Sequence, residues 1–239
     1  MSDNRLEHFQ RFYYYMDVLE DKVGGKRILA ECHGRMYWPK RGVYFFFEPD
    51  ESRTTSGEGL RVVRVGTHAL NRRAKNELWV RLRQHRGNLV DGGGNHRSSI
   101  FRLHLGTAII NRDDLGEPFT TTWGVDSSAS RDIRKVEKPL EQAVSQQIRN
   151  MPFLWVKVND EPGPDSDRGV IECNTISLHS NYCAVHNSTL PIDPPSENWL
   201  GRYAKNDAIR QSGLWNVNHV RECYDPTFLD LLEGYIKAM

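Results

Sequence analysis

The residues from Gly42 to His85 constrain this chain more than any other stretch. A dense apolar run, Gly42-Val43-Tyr44-Phe45-Phe46-Phe47, reads as a β-strand, and the polar, glycine-containing segment from Glu48 to Gly59 reads as the hairpin loop that ends it. A second β-type run, Leu60 to Thr67, follows, and Glu77 to His85 then has helical character. Polar groups stand at fixed points on this strand-strand-helix frame. Tyr44 lies early in the first strand, Gly66 closes the second, and Arg81 and His85, four residues apart, share one helical face. A phenol, a guanidinium and an imidazole can then converge on one oxyanion.

A chain of 239 residues is long enough to bury a substantial core without covalent staples. The expectation is a single domain over 1–239: an N-terminal helical extension (1–38), a core split between 39–87 and 152–187, a helical insertion (88–151) and a C-terminal helical extension (188–239). No apolar run approaches the length of a membrane span, and the start lacks a charged-then-apolar signal pattern, so the protein is expected to be soluble and cytoplasmic, with no membrane partner. The four cysteines, Cys32, Cys173, Cys183 and Cys223, contain no C-x-x-C pair and no zinc-finger spacing, and are expected as buried free thiols rather than a structural zinc site.

The net charge of +1 is uninformative, but its distribution is not. From Arg61 to Arg102 there are ten Lys or Arg and two acids, a surplus of eight positive charges. That window suits a polyanion, with Arg61, Arg72, Arg73, Lys75, Arg83 and Arg97 as candidate nucleic-acid contacts. A solvated basic face balanced by acids elsewhere is the competing explanation.

Along the rest of the chain, Phe9, Phe12, Tyr13, Met16 and Leu19 give an amphipathic helix over Arg5 to Val23, stopped at Gly24-Gly25. Ile28 to Tyr37 reads as a short strand or extended approach. The loop from Asp91 to Arg97 carries three successive glycines, which suit either an anion-binding backbone or a flexible connection. Ser98 to Asn111 is helical with Ile100, Leu103, Ala108 and Ile109 on its apolar face and Leu105 less well placed. A second helix, Ile133 to Met151, has Val136, Leu140, Val144 and Ile148 four apart, with Pro139 weakening its first turns.

Phe153 to Val158 is a third strand, followed by a helix with Ile171, Thr175 and Leu178 inward and Glu172 beside them. A carboxylate at the rim of a basic site is a natural ligand for a hard divalent cation. Asp207 to Gly213 is a short helix, and the last begins at Asp225-Pro226. Trp215, Asn216, Asn218 and His219 form a polar-aromatic cluster with no assigned role.

The order β-β-α, helical insertion, β-α, with GVY at Gly42 to Tyr44, Val65-Gly66-Thr67, R-x-x-x-H at Arg81 to His85 and Glu172 on the later helix, resembles the GIY-YIG nuclease superfamily, most closely its restriction-enzyme branch. The resemblance covers about Gly42 to Gly87 and Phe153 to Asn181. It implies an α+β fold, a small three-stranded mixed or antiparallel sheet flanked by helices, and a metal-dependent endonuclease acting on DNA.

By that resemblance Tyr44 contacts or deprotonates the attacking water, Arg81 holds the scissile phosphate, His85 takes up a proton, and Glu172 binds one Mg²⁺ or a similar ion such as Mn²⁺. The family's second tyrosine falls on Arg64, a cation that can still bind phosphate. The family's late asparagine has three candidates, Asn174, Asn181 and Asn187, of which Asn181 follows the Glu172 helix directly; Glu137 and Glu141 rival Glu172 as metal ligand. Cutting both strands calls for a homodimer or two binding events. The alternatives are a non-catalytic nucleic-acid-binding module with this fold, which Arg64 motivates, and an unrelated hydrolase pairing Cys183 with His179 or His186.

Overall fold

The computed structural model describes residues 3–68, 70, 77–163, 165–186 and 190–239. Its centre is a four-stranded antiparallel sheet of order β1-β4-β2-β3, formed by β1 (Arg27–Ile28), β2 (Gly42–Ser52), β3 (Leu60–Gly66) and β4 (Pro152–Lys157). The apolar run of β2 is the middle of this sheet because both of its faces are covered. Successive side chains of a strand point to opposite faces. Val43, Phe45 and Phe47 enter a core with α1 (Asp3–Val23), α6 (Asp167–His179) and α9 (Phe228–Lys237). Tyr44 and Phe46 enter a second core with α2 (Leu78–Arg86), α3 (Ile100–Arg112) and α5 (Arg131–Arg149). A strand buried on both sides has no polar alternation, which is what the run of aromatics records.

The outer edge of β3 is closed by the chain near its C-terminus. Trp215 N–H donates to Val63 O at 2.7 Å, and the Asn216 side chain pairs with both backbone groups of Val65, at 3.1 and 2.9 Å. This contact brings residues 215–219 alongside β3 and builds one wall of the cavity described below.

Several expectations are corrected. Glu48 to Ser52 is strand rather than loop: Glu48 is buried against Trp215 Nε1 at 2.8 Å, which leaves its carboxyl pushed up to about 7 by burial, and Glu51 is buried against Arg61. Polar side chains sit in a core strand there because each has a distant partner. Of Ile28 to Tyr37, only Ile28 belongs to a strand, so the sheet has four strands rather than three. On α3 the inward face carries Phe101, Leu105, Ala108 and Ile109, whereas Ile100 is 48 % exposed; Val136 on α5 is likewise exposed. The last helix starts at Phe228, after Pro226, with the Asp225 carboxylate accepting from Thr227 N–H. Only Cys32 is a buried thiol; Cys173 is half-buried, and Cys183 and Cys223 are exposed. Among the described residues no helix is long and apolar enough to cross a membrane.

Candidate active site

A cavity of about 410 Å³ opens where β2, β3, α2, α3 and α6 meet the 215–219 segment. Tyr44, Arg64, Arg81 and Glu172 all line it. Four residues spread over 129 positions of sequence are thus brought to one concavity, and each is placed by a separate element.

Tyr44 stands opposite Gly66 in the β2–β3 register. Its ring lies across that glycine so closely that a Cβ on Gly66 would fall 2.3 Å from the phenol oxygen. Gly66→Ala is therefore expected to force the phenol aside and to cost about 1–3 kcal/mol of stability. Chemical denaturation checks this against Gly234→Ala, a mid-helix site with open space, expected to gain about 0.5–1 kcal/mol.

The phenol oxygen lies 2.9 Å from His85 Nε2, and His85 Nδ1 lies 2.8 Å from Ser99 Oγ. Ser99 is also the N-cap of α3, accepting from Arg102 N–H at 3.3 Å. His85 is fully buried, edge-on to Tyr44, Phe46 and Phe101. Burial, reinforced by Arg81, Arg64 and Arg102, holds its pKa well below the ordinary value, so the imidazole is neutral. Either neutral tautomer couples it to Tyr44 through one ring nitrogen and to Ser99 through the other. On α2, Arg81 and His85 divide the work: His85 turns into the core under Tyr44 while half-buried Arg81 faces the cavity.

Arg81 Nη1 donates to Gln84 Oε1 and Ser98 O, both at 3.2 Å, which orients the guanidinium and leaves further N–H groups for a ligand. Arg64 is buried, its guanidinium 4.6 Å from the centre of the Phe101 ring and its Nη1 donating to Trp215 O at 2.7 Å. Burial lowers its pKa, with the nearby Tyr44 and Glu172 opposing; a guanidinium still remains charged. Glu172 Oε1 accepts from Thr67 N–H at 3.1 Å. Burial raises the Glu172 pKa, against the pull of Arg64 and the Thr67 bond.

Other predicted residues do not join this group. Asn181 is buried away from the cavity, its side chain bonded to both the N–H and the carbonyl of Ile192 at 3.1 and 2.9 Å. Asn174 serves as a partner of Val170 O and Asp225 N–H, and Asn187 lies outside the described residues. The asparagines that line the cavity are Asn206, Asn216 and Asn218, with Asn216 committed to β3. Glu137 and Glu141 are excluded as rivals for the metal, being buried in ion pairs with Arg97 and with Arg102, Glu141 also hydrogen-bonding to the backbone N–H and ring of His96. His179 sits in the aromatic core of Phe9, Phe12 and Tyr13 with its pKa pushed down to about 4 by burial, so it has no part in activating the exposed Cys183. The His186 side chain lies outside the described residues.

The basic window is also revised. Arg61, Arg97 and Arg102 are buried in pairs with Glu51, Glu137 and Glu141, all of which lie outside the window, so three of its eight surplus charges are neutralised internally. Arg61 and Arg97 are therefore structural cations and not phosphate contacts. Arg72, Arg73 and Lys75 lie outside the described residues. Arg83 is exposed and, with Arg86, Arg134 and Lys138, lines a second concavity of about 610 Å³ over the glycine-rich loop. The loop itself is packed rather than free: a Cβ on Gly94 would fall 2.1 Å from the Arg102 guanidinium.

Sequence reasoning missed His104 and Asn206, which also line the cavity, and left Asn218 and His219 unassigned. Only the pairing of 215–216 with β3 could have pointed to the last two, and nothing local announces it.

The donor set suits a hard divalent ion. Mg²⁺ is held by one or two carboxylates together with water and substrate phosphate oxygens. Glu172 is one such carboxylate, in a polar cavity beside two guanidiniums that suit phosphate. The family model for the GIY-YIG domain matches residues 3–239. No curated protein and no solved structure matches the chain.

Proposed function

Because the chain belongs to the GIY-YIG family, we propose that it is a metal-dependent endonuclease that hydrolyses DNA phosphodiester bonds, of the kind used in restriction or defence. The observation that carries this reading is the shared cavity of Tyr44, Arg64, Arg81 and Glu172, with Tyr44 bonded to a neutral His85 beneath it. Phosphodiester hydrolysis needs an activated water, neutralisation of the phosphoryl oxygens and support for the leaving oxygen.

In this scheme Tyr44 takes a proton from the attacking water and His85 receives the phenol proton through the 2.9 Å bond. The neutral state of His85 is what allows it to accept. Arg81 holds the non-bridging oxygens of the scissile phosphate, a bidentate task for a planar guanidinium. Arg64 adds a second fixed positive charge where the family has a tyrosine, so positive potential there replaces a second phenol. Glu172, which accepts a hydrogen bond from Thr67 N–H, would hold the ion. When bound, Mg²⁺ or Mn²⁺ supplies Lewis-acid stabilisation of charge on the phosphoryl and leaving oxygens.

DNA extending from the cavity reaches Arg83 and the neighbouring Arg86, Arg134 and Lys138. Two copies, or two binding events, serve to cut both strands. The protein is expected to nick supercoiled plasmid in Mg²⁺ and not in EDTA, and Arg81→Ala is expected to lower the rate by roughly 10²–10³. Absence of metal-dependent nicking on modified and unmodified DNA alike overturns the reading. Salt-sensitive DNA binding without cleavage would then favour the non-catalytic binding module.

A further inference from the structure

His219 is a wall residue of the cavity, yet its chemistry points elsewhere. Its Nδ1 lies 2.9 Å from both carboxylate oxygens of Glu222, and the Cys173 thiol lies 3.2 Å from Glu222 Oε2. The three ligating atoms fall within 4.8 Å of one another. In a tetrahedral site with bonds of about 2.0–2.3 Å, ligand atoms stand about 3.3–3.6 Å apart, and the separations here, 2.9 and 3.2 Å to Glu222 with none beyond 4.8 Å, lie around that value.

The group is also held in place from both sides. Ser177, one turn beyond Cys173 on α6, donates to His219 O at 2.9 Å, and Asn174 Oδ1 accepts from Asp225 N–H at 2.6 Å. α6 thus supplies the thiol and grips the turn that carries the imidazole and the carboxylate. His219 has φ of 63°, a left-handed conformation that a residue with a Cβ rarely adopts, and its ring lies against Glu222.

We propose that Cys173, His219 and Glu222 form a binding site for a zinc-class divalent ion, distinct from the hard-ion site at Glu172. Thiolate and imidazole beside a carboxylate make a donor set that zinc and cobalt take, whereas Mg²⁺ takes oxygen ligands and has no use for the sulfur. Binding releases the thiol proton to solvent, and the neutral imidazole keeps its remaining proton on Nε2 while Nδ1 coordinates. The fourth position is left to water. The ion clasps α6, at the residue next to Glu172, to the 215–222 segment that forms the cavity wall. This site is independent of DNA cleavage, because it is made by the placement of Cys173, His219 and Glu222 alone.

Co²⁺ is the probe. Added to the full chain, it is expected to give a thiolate-to-cobalt charge-transfer band in the near ultraviolet that Zn²⁺ abolishes and excess Mg²⁺ does not. The band is expected to vanish in Cys173→Ser and to persist in Cys223→Ser and Glu172→Gln. His219→Gln, which keeps the thiol, is expected to retain the band at saturation with weaker cobalt affinity, separating lost ligation from lost folding. No band in the unaltered protein, a band surviving in Cys173→Ser, or its loss in Cys223→Ser or Glu172→Gln would each overturn the site.

Discussion

Tyr44→Phe is expected to lower DNA cleavage by roughly 10²–10⁴ while DNA binding and fold persist. The phenol oxygen is the link between the cavity and His85, and phenylalanine removes that atom alone. The ring keeps its place across Gly66 and its edge contacts with Phe46 and His85. His85 is left with an unpartnered buried nitrogen, so a stability loss of about 1–3 kcal/mol accompanies the change. Single-turnover nicking measures the rate, salt-dependent binding measures the complex, and urea denaturation measures the stability. A cleavage rate within threefold of wild type would remove Tyr44 from the proton path.

Glu172→Gln is expected to have a comparable effect, on the order of 10³ or more, because losing the ion forfeits several kcal/mol of transition-state stabilisation. The isosteric amide oxygen can still accept from Thr67 N–H, so the local structure is preserved. Acidity offers an independent check. Burial raises the Glu172 pKa in the metal-free protein, and only the ionised carboxylate holds a hard cation. Mg²⁺ affinity therefore falls as pH drops through that raised pKa. A higher Mg²⁺ concentration favours the ionised form and moves the midpoint of the pH–rate profile downward. His85, whose pKa is held well below its usual value, contributes no titration at neutral pH. A midpoint insensitive to Mg²⁺ would argue that Glu172 does not hold the ion.

What could be read along the chain was what local periodicity encodes. The aromatic stripe of α1, the strand-strand-helix order from Gly42, the inward Ile171, Thr175 and Leu178 of α6, and the shared placement of Arg81 and His85 on α2 all follow from spacings of two, three or four residues. The misread elements have a common cause. Glu48 and Glu51 look like loop residues until Trp215 and Arg61 are beside them, and Arg97 looks like a phosphate contact until Glu137 covers it. Asn181 follows the Glu172 helix in sequence, yet its side chain closes a loop at Ile192.

The sequence by itself determined most of the elements, their order and the identity of four of the groups around the cavity: Tyr44, Arg64, Arg81 and Glu172. Tertiary structure decided which cations are free and which are spent in buried pairs, and that residues 215–219 form a wall of the cavity. It also set Cys173 against His219 and Glu222. The physical reason is range. A helix or strand period places side chains relative to their near neighbours, whereas the partner of a buried charge or a sheet edge comes from whichever distant segment packs there, and local spacing carries no record of it.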